Sequence, residues 1–194
     1  MSSLEQIKAL REKTGAGIVD VKKALDDAKG NESDAIDILR KKGQDKALKR
    51  ADRTAGEGMI AVYVHSNNRI AAMVKVACET DFVARNEDFQ AFARDIAMHI
   101  TAAAPTCITP EDVDEALVAK ERTIWEEQLA EEGKPAKMIG QIMEGKEKKF
   151  RSEQALLTQS FVKDPDQTIE TLLNDKISAI GEKIAIEEFV RYEL

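Results

Sequence analysis

The sequence predicts an α+β protein in which three short helices precede a core built on a three-stranded antiparallel sheet with helices. Three observations predict it. Apolar residues recur at helical spacing in short, glycine-punctuated runs through the first fifty residues; two β-rich runs flank turn chemistry after residue 57; and another β-rich run closes the chain. Aromatic residues are only 5% of the chain, so Leu, Ile, Val and Ala supply most of the apolar mass, a composition that leans helical.

Leu4, Ile7 and Leu10 mark the first helix, and "KTGAG" breaks it with Gly15 and Gly17. Ile18, Val21, Leu25 and Ala28 form the next stripe, which "KGN" at 29–31 ends. Ala35, Ile36 and Leu39 form the third, with Gly43 expected to stop it. Helices this short do not persist alone in water, so they must pack on one another as one module. The basic run "QDKALKRADR" reads as a solvated linker or a helix extension. "GMIAVYVH" and "RIAAMVKVAC" then read as two strands joined through "SNN" as a hairpin. Ile60, Val62 and Val64 share one face of the first strand, and Met59, Ala61 and Tyr63 the other. On the second strand Ile70, Ala72, Val74 and Val76 oppose Ala71, Met73, Lys75 and Ala77.

Asn86 is placed to cap a helix with Glu87 and Asp88 in its first turn, a buried stripe of Phe89, Phe92, Ala93, Ile96 and Ile100, and Pro105 just beyond its end. Thr109 and Pro110 open a helical stretch expected to run to about Glu132, where "EEGKP" breaks it. Another helix carries Met138, Ile142 and Phe150, and a last one carries Ile169, Leu172, Leu173 and Ile177 and ends at Gly181. The closing run "IAIEEFVRYE" puts Ile184, Ile186, Val190 and Tyr192 on one side, interrupted by Glu188, and most simply joins the hairpin as a third antiparallel strand. The chain thus divides into residues 1–53, the helical module with its linker, and residues 54–194, the core. Neither sheet face is properly polar. The second face is covered either by the long helices or by another copy of the chain, and the few helices left over favour another copy.

Charge and composition exclude several classes. Charged residues make up 34% and hydrophobic ones 43%, with a formal net charge of -7, which disfavours wrapping nucleic acid because phosphate neutralisation needs a local Lys/Arg excess. The two cysteines, Cys78 and Cys107, form neither a disulfide framework nor a zinc motif. No basic n-region followed by an apolar run opens the chain and no stretch approaches a membrane span, so a reducing cytosol is the expected compartment. The only imidazoles are His65, at a strand end, and His99, on a helix; neither is set beside a nucleophile. "TGAG" lacks the preceding strand and the GK[ST] of a phosphate-binding loop. The residues therefore describe a binding protein, with no catalytic centre, metal or cofactor expected.

One segment stands apart. In "CETDFVARNEDF" a large aromatic, Phe82, sits in the polar joint between a strand and a helix. It is either a core residue at a helix start, capped by Thr80 or Asp81, or an exposed ring aimed at another protein. "CETDFVARN" at 78–86 and "LREKTGAGIVDVKKAL" at 10–25 closely resemble the two signature segments of the bacterial elongation factor Ts family, and the likeness continues through "FARDIAMHITAAAP", "EEGKP", "MEGKEKKF", "SFVKDP" and "FVRYEL". It covers essentially the whole chain. Lys75 and Ala77 stand where the family usually has glutamate and asparagine, which leaves Thr80-Asp81-Phe82-Val83 intact.

The resemblance implies guanine-nucleotide exchange on the GDP-bound translational GTPase elongation factor Tu, by a protein that is not an enzyme. It implies a UBA-like N-terminal module touching the GTPase domain, and insertion of the "TDFV" segment near the nucleotide, disturbing magnesium and phosphate binding. Asp81 and Phe82 are then the intruding pair, and Thr80 and Val83 shape the turn. His99 aligns with a family residue that also lies near the partner. The chain looks like the short form, with one core subdomain, and short forms resemble proteins that dimerise through their sheets. The rival reading from another class is an adaptor or chaperone-like binding protein that uses the three-helix module alone.

Overall fold

The computed structural model describes residues 3–132 and 135–194, apart from the side chain of Ala136. Two compact units form, one taking the chain up to Met98 together with Glu170–Leu194, the other His99–Ile169; the divisions fall inside two helices.

In the first unit, α1 (Leu4–Thr14), α2 (Ile18–Asp27) and α3 (Glu32–Leu48) bury most of the expected stripes, but Leu4 and Ile18, the first residues of α1 and α2, lie beyond the packed part of their helices and are exposed. Ile7, Leu10, Val21, Ala24, Leu25, Ala35 and Leu39 make one core cluster. The local signals act as chemistry requires. Ser3 and Gln6 form a reciprocal capping box, and Gly15 closes α1 with φ 64°, a left-handed conformation that costs glycine nothing. Asn31 accepts from the backbone N–H of Ser33 and Asp34 to start α3. Contrary to expectation, α3 does not stop at Gly43 but runs to Leu48. A mid-helix glycine costs only about 1 kcal/mol, and this one is buried in a helix held elsewhere along its length. Lys42 and Lys46 of α3 grip Asp20 of α2 at 2.9 and 2.6 Å, holding its carboxyl below the usual range.

The sheet of the same unit has the order β1-β2-β5, with β1 (Glu57–Val64), β2 (Ile70–Cys78) and β5 (Ile184–Glu193) antiparallel throughout. The α+β class and the joining of the last strand to the hairpin are as the sequence predicts. Facing pairs identify the two sides. Ala61 opposes Val74, and Met59 opposes Val76; this side holds the buried Ala61, Ala72, Val74 and Val76. Ile60, Val62, Val64 and Met73 lie on the other side and are exposed.

The alternation expected of β5 fails at one point. Val76 pairs with Ile186 and Lys75 with Glu188, so one extra residue, Glu187, is accommodated as a bulge. Strand parity therefore switches. Ile184 and Ile186 are on the buried side, but beyond the bulge Phe189, opposite Val74, takes that side, while Val190, opposite Met73, and Tyr192 turn outward. Glu187 is held by Lys75 at 2.7 Å.

Asn86 caps α5 (Glu87–Ala103), accepting from the N–H of Asp88 at 2.8 Å, and Phe89, Phe92, Ala93, Ile96 and Ile100 are buried as the spacing predicts. In the second unit the helical stretch expected from Thr109 is two pieces. A 3-10 turn at Pro110–Asp112 carries its own capping box, Val113 is extended and buried, and Asp114 caps a new helix, α6 (Glu115–Glu131). α7 (Ala136–Gln154) follows. The "EEGKP" break lies between them, with Gly133 and Lys134 outside the described residues. Trp125 and Leu129 of α6 pack with Met143 of α7, Phe150 meeting the Trp125 ring edge-on. A small hairpin, β3 (Ser160–Phe161) with β4 (Asp164–Thr168), precedes α8 (Ile169–Ile180) and was not legible in the sequence.

Candidate functional site

The strand-to-helix joint after β2 contains the segment singled out above. Cys78, the last residue of β2, is buried, as expected of a core-facing strand residue, and its Sγ donates to the Thr80 carbonyl at 3.2 Å. Burial pushes its thiol pKa up, with Glu182 and Glu57 adding to the rise, so the sulfur keeps its proton and is no nucleophile. Cys107 is likewise raised by burial.

Thr80 is extended at φ -129°, ψ 154°, and caps a single helical turn, α4 (Asp81–Ala84), accepting from the N–H of Val83 at 3.4 Å. Asp81 lies in the first turn, where a carboxylate complements the helix N-terminus, and pairs with Arg85 at 3.1 Å on the surface, a contact of small energetic weight. No residue of α4 is buried. Phe82 is 80% exposed, which decides between its two readings: it is not a core residue. A turn this short, without buried side chains, is not held by its own hydrogen bonds.

Besides the partial packing of Val83 and Ala84 beside the hairpin, a knot of polar contacts from distant segments holds it. One oxygen of the Glu182 carboxylate accepts from the backbone N–H groups of Glu79 and Thr80, both at 3.1 Å, and the other from the Thr80 hydroxyl at 2.7 Å. In return the Glu79 carboxylate accepts from the N–H of Lys183 at 2.6 Å and from the Arg53 guanidinium at 3.2 Å. The Lys183 N–H, and then Arg53, lower the Glu79 carboxyl pKa. The Lys183 ammonium donates to the carbonyls of Ala51 and Arg53 at 2.7 and 2.8 Å, tying the segment after α3 into the same knot. Sequence reasoning missed these residues because Glu182 and Thr80 are 102 positions apart and no local pattern links them.

Thr80, Asp81, Phe82 and Val83 thus form one surface turn. His99 is different. Its side chain is fully buried in the free chain and is not part of that surface turn. Nδ1 accepts from the N–H of Val162 at 3.3 Å, which puts the proton on Nε2, donating to Gln159 Oε1 at 3.0 Å. Burial lowers its pKa, partly offset by the Gln159 bond. His65 is exposed, as its strand-end position suggests. Among the described residues, no group of three or more His, Cys, Asp or Glu could hold a metal ion, and no helix is long and apolar enough to cross a membrane.

The family model described as elongation factor TS matches residues 5–194. An elongation factor Ts of Rubrobacter xylanophilus is 51% identical over 193 residues, covering 100% of this chain and 99% of the relative. Those of Carboxydothermus hydrogenoformans and Moorella thermoacetica are 48% and 46% identical over 194 residues, all of this chain and 89% and 96% of the relatives. A match spanning nearly every residue, with relatives of similar length, means that the chain belongs to the elongation factor Ts family, a family of factors in the elongation phase of protein synthesis.

Proposed function

We propose that this chain is a guanine-nucleotide exchange factor for elongation factor Tu, and that it promotes GDP release by inserting the turn Thr80-Asp81-Phe82-Val83 beside the nucleotide and magnesium site. The observation that carries the reading is the 80% exposure of Phe82 on a turn whose backbone is fixed from elsewhere. A free aromatic ring on a braced support suits a wedge.

Exchange requires no bond to be made or broken by the factor. It must bind the nucleotide-free GTPase more tightly than the loaded one, and whatever it subtracts from nucleotide affinity the nucleotide subtracts from its own. A thousandfold acceleration of release lowers the barrier by about 4 kcal/mol, whereas burying one Phe side chain supplies roughly 1.5–3 kcal/mol. Phe82 therefore shares the task with the rest of the surface. Residues 1–53, the proposed UBA-like module, hold the GTPase domain, with Ile18 and Val19 at the head of α2 exposed for that contact. Residues 54–194 present the wedge. Asp81 adds a competing charge near the phosphates and the metal, and His99 acts from beneath the surface, through its neighbours.

The apolar outer sheet face, with Ile60, Val62, Met73 and Tyr192 exposed, is proposed to receive a second copy of the chain, as the family resemblance implies. A two-fold dimer needs a self-complementary patch, and this face carries both charge signs, Lys75 beside Glu187 and Glu188. The cytosol is the proposed site of action. The exposed Ile18 and Val19 also favour the rival, a module that binds partners on its own.

The decisive experiment mixes the pure chain with elongation factor Tu loaded with fluorescent GDP and follows release by stopped flow. Acceleration that needs the intact core supports exchange. Unaltered release, or capture of the partner by residues 1–53 alone without release, favours the adaptor.

A further inference from the structure

We propose that Glu182 is the positioning residue of the exchange turn: its carboxylate, reaching from the far end of the chain, fixes the backbone from which Phe82 projects. The proposal rests on the reading of residues 80–83 as the inserted element.

The geometry is specific. No side chain of the turn is fully buried; Val83 and Ala84 are half-buried beside the hairpin and Phe82 is free, so packing alone does not fix the backbone at the root of the turn. Three donors at its root converge on one carboxylate, the N–H groups of Glu79 and Thr80 and the Thr80 hydroxyl. The hydroxyl has one proton and gives it to Glu182, which leaves a lone pair directed at the N–H of Val83. Glu182 thus sets the orientation of the very group that caps α4. The converse bond from the Lys183 N–H to Glu79 prevents the two segments from sliding past each other. Without Glu182 two backbone donors and a hydroxyl lose their partner, and the turn samples poses in which the ring does not enter the GTPase.

Stopped-flow release of fluorescent GDP from elongation factor Tu tests this with the full chain and its variants. Glu182→Ala is expected to lower the maximal release rate at saturating factor by about tenfold, the scale of lost hydrogen bonds to a charged group, with little change in the half-saturating concentration, since the rest of the docking surface is intact. In the Phe82→Ala background the same substitution is expected to have almost no further effect, because there is no ring left to position. A merely structural role would lower the melting temperature and slow both backgrounds alike, which would overturn the proposal.

Side-chain geometry separates positioning from charge. Glu182→Gln keeps the reach and one oxygen for the two backbone N–H groups, but its NH2 must donate to the Thr80 oxygen where the carboxylate accepted, so it is expected to fall between the parent and Glu182→Ala; Glu182→Asp keeps the charge but falls short and is expected to be slower than Glu182→Gln. The opposite order would show that charge matters and reach does not, and would sink the idea. If Glu182→Ala is unfolded at the assay temperature, Glu182→Asp takes its place in the comparison with Phe82→Ala. A slow Phe82→Ala beside a normal Glu182→Ala removes the positioning role alone. A normal Phe82→Ala removes the inserted-turn reading on which it stands.

Discussion

Phe82→Ala separates a wedge from a structural residue quantitatively. In the free chain the ring is 80% exposed, so its truncation removes almost no buried area, and stability should change by no more than about 0.5 kcal/mol. On docking, that same exposed fraction becomes available for burial. Complete burial of a Phe side chain is worth roughly 1.5–3 kcal/mol, and four-fifths of that is about 1.2–2.4 kcal/mol, a loss of roughly 8- to 60-fold in stimulated release at about 1.4 kcal/mol per tenfold. The assay is stopped-flow loss of fluorescent GDP from elongation factor Tu at several factor concentrations, with a thermal melt of each protein alongside. A variant that melts normally and stimulates release normally would refute the wedge. One that melts many degrees lower would show that the ring stabilises the free chain, against its exposure.

His99 gives a pH test. Burial depresses its pKa below 6.5, so between the folded and unfolded values the unfolded chain binds more protons; stability is complete above about pH 6.5 and is lost as pH falls, by up to about 1.4 kcal/mol per pH unit within that window. Melting temperatures from pH 7.5 to 5 should show this slope, and His99→Gln should flatten it. Gly58→Ala should destabilise by about 2 kcal/mol or more, lowering the melting temperature by roughly 4–8 °C: φ is 146°, and a Cβ would run into the Val76 carbonyl oxygen and come within 2.8 Å of the Ala77 Cα. Sedimentation at micromolar concentration should give a dimer that Val62→Glu converts to a folded monomer, with the parent's far-UV circular dichroism and a melting temperature that no longer depends on concentration. A parent that stays monomeric at every concentration would leave the outer sheet face without the proposed occupant.

Local chemistry carried the legible part of this molecule. The Asn86 cap, the Gly15 turn, the inner residues of the first helices' stripes and the stripe from Phe89 to Ile100 are all short-range patterns that form as read, while Leu4 and Ile18, at helix starts, stay exposed. The expected stop at Gly43 failed because glycine is a weak breaker in a helix that tertiary contacts hold on both sides. The β3–β4 hairpin was hidden because β3 has two residues and β4 contains Pro165, a residue that argues against a strand. For the site, "TDFV" pointed to the right turn but could not say whether its ring faced inward or outward. Exposure resolved that, and the contacts from Glu182 and Lys183 came from a distance no window of residues spans. The burial of His99 was equally remote, resting on Gln159 and Val162.

The extra residue in β5 has a consequence for how this chain tolerates change. Beyond Glu187 every side chain owes its direction to a count of residues, and the chemistry of those residues does not set it. Inserting one residue between Glu188 and Phe189 would leave the composition of the last strand nearly intact, yet would swing Phe189 toward water and bring Val190 and Tyr192 inward, whereas deleting Glu187 itself would only remove the bulge and leave every later pairing in place. Substitution beyond the bulge should be forgiven far more readily than the gain of a single position, so the spacing of the C-terminal segment is itself a piece of encoded information.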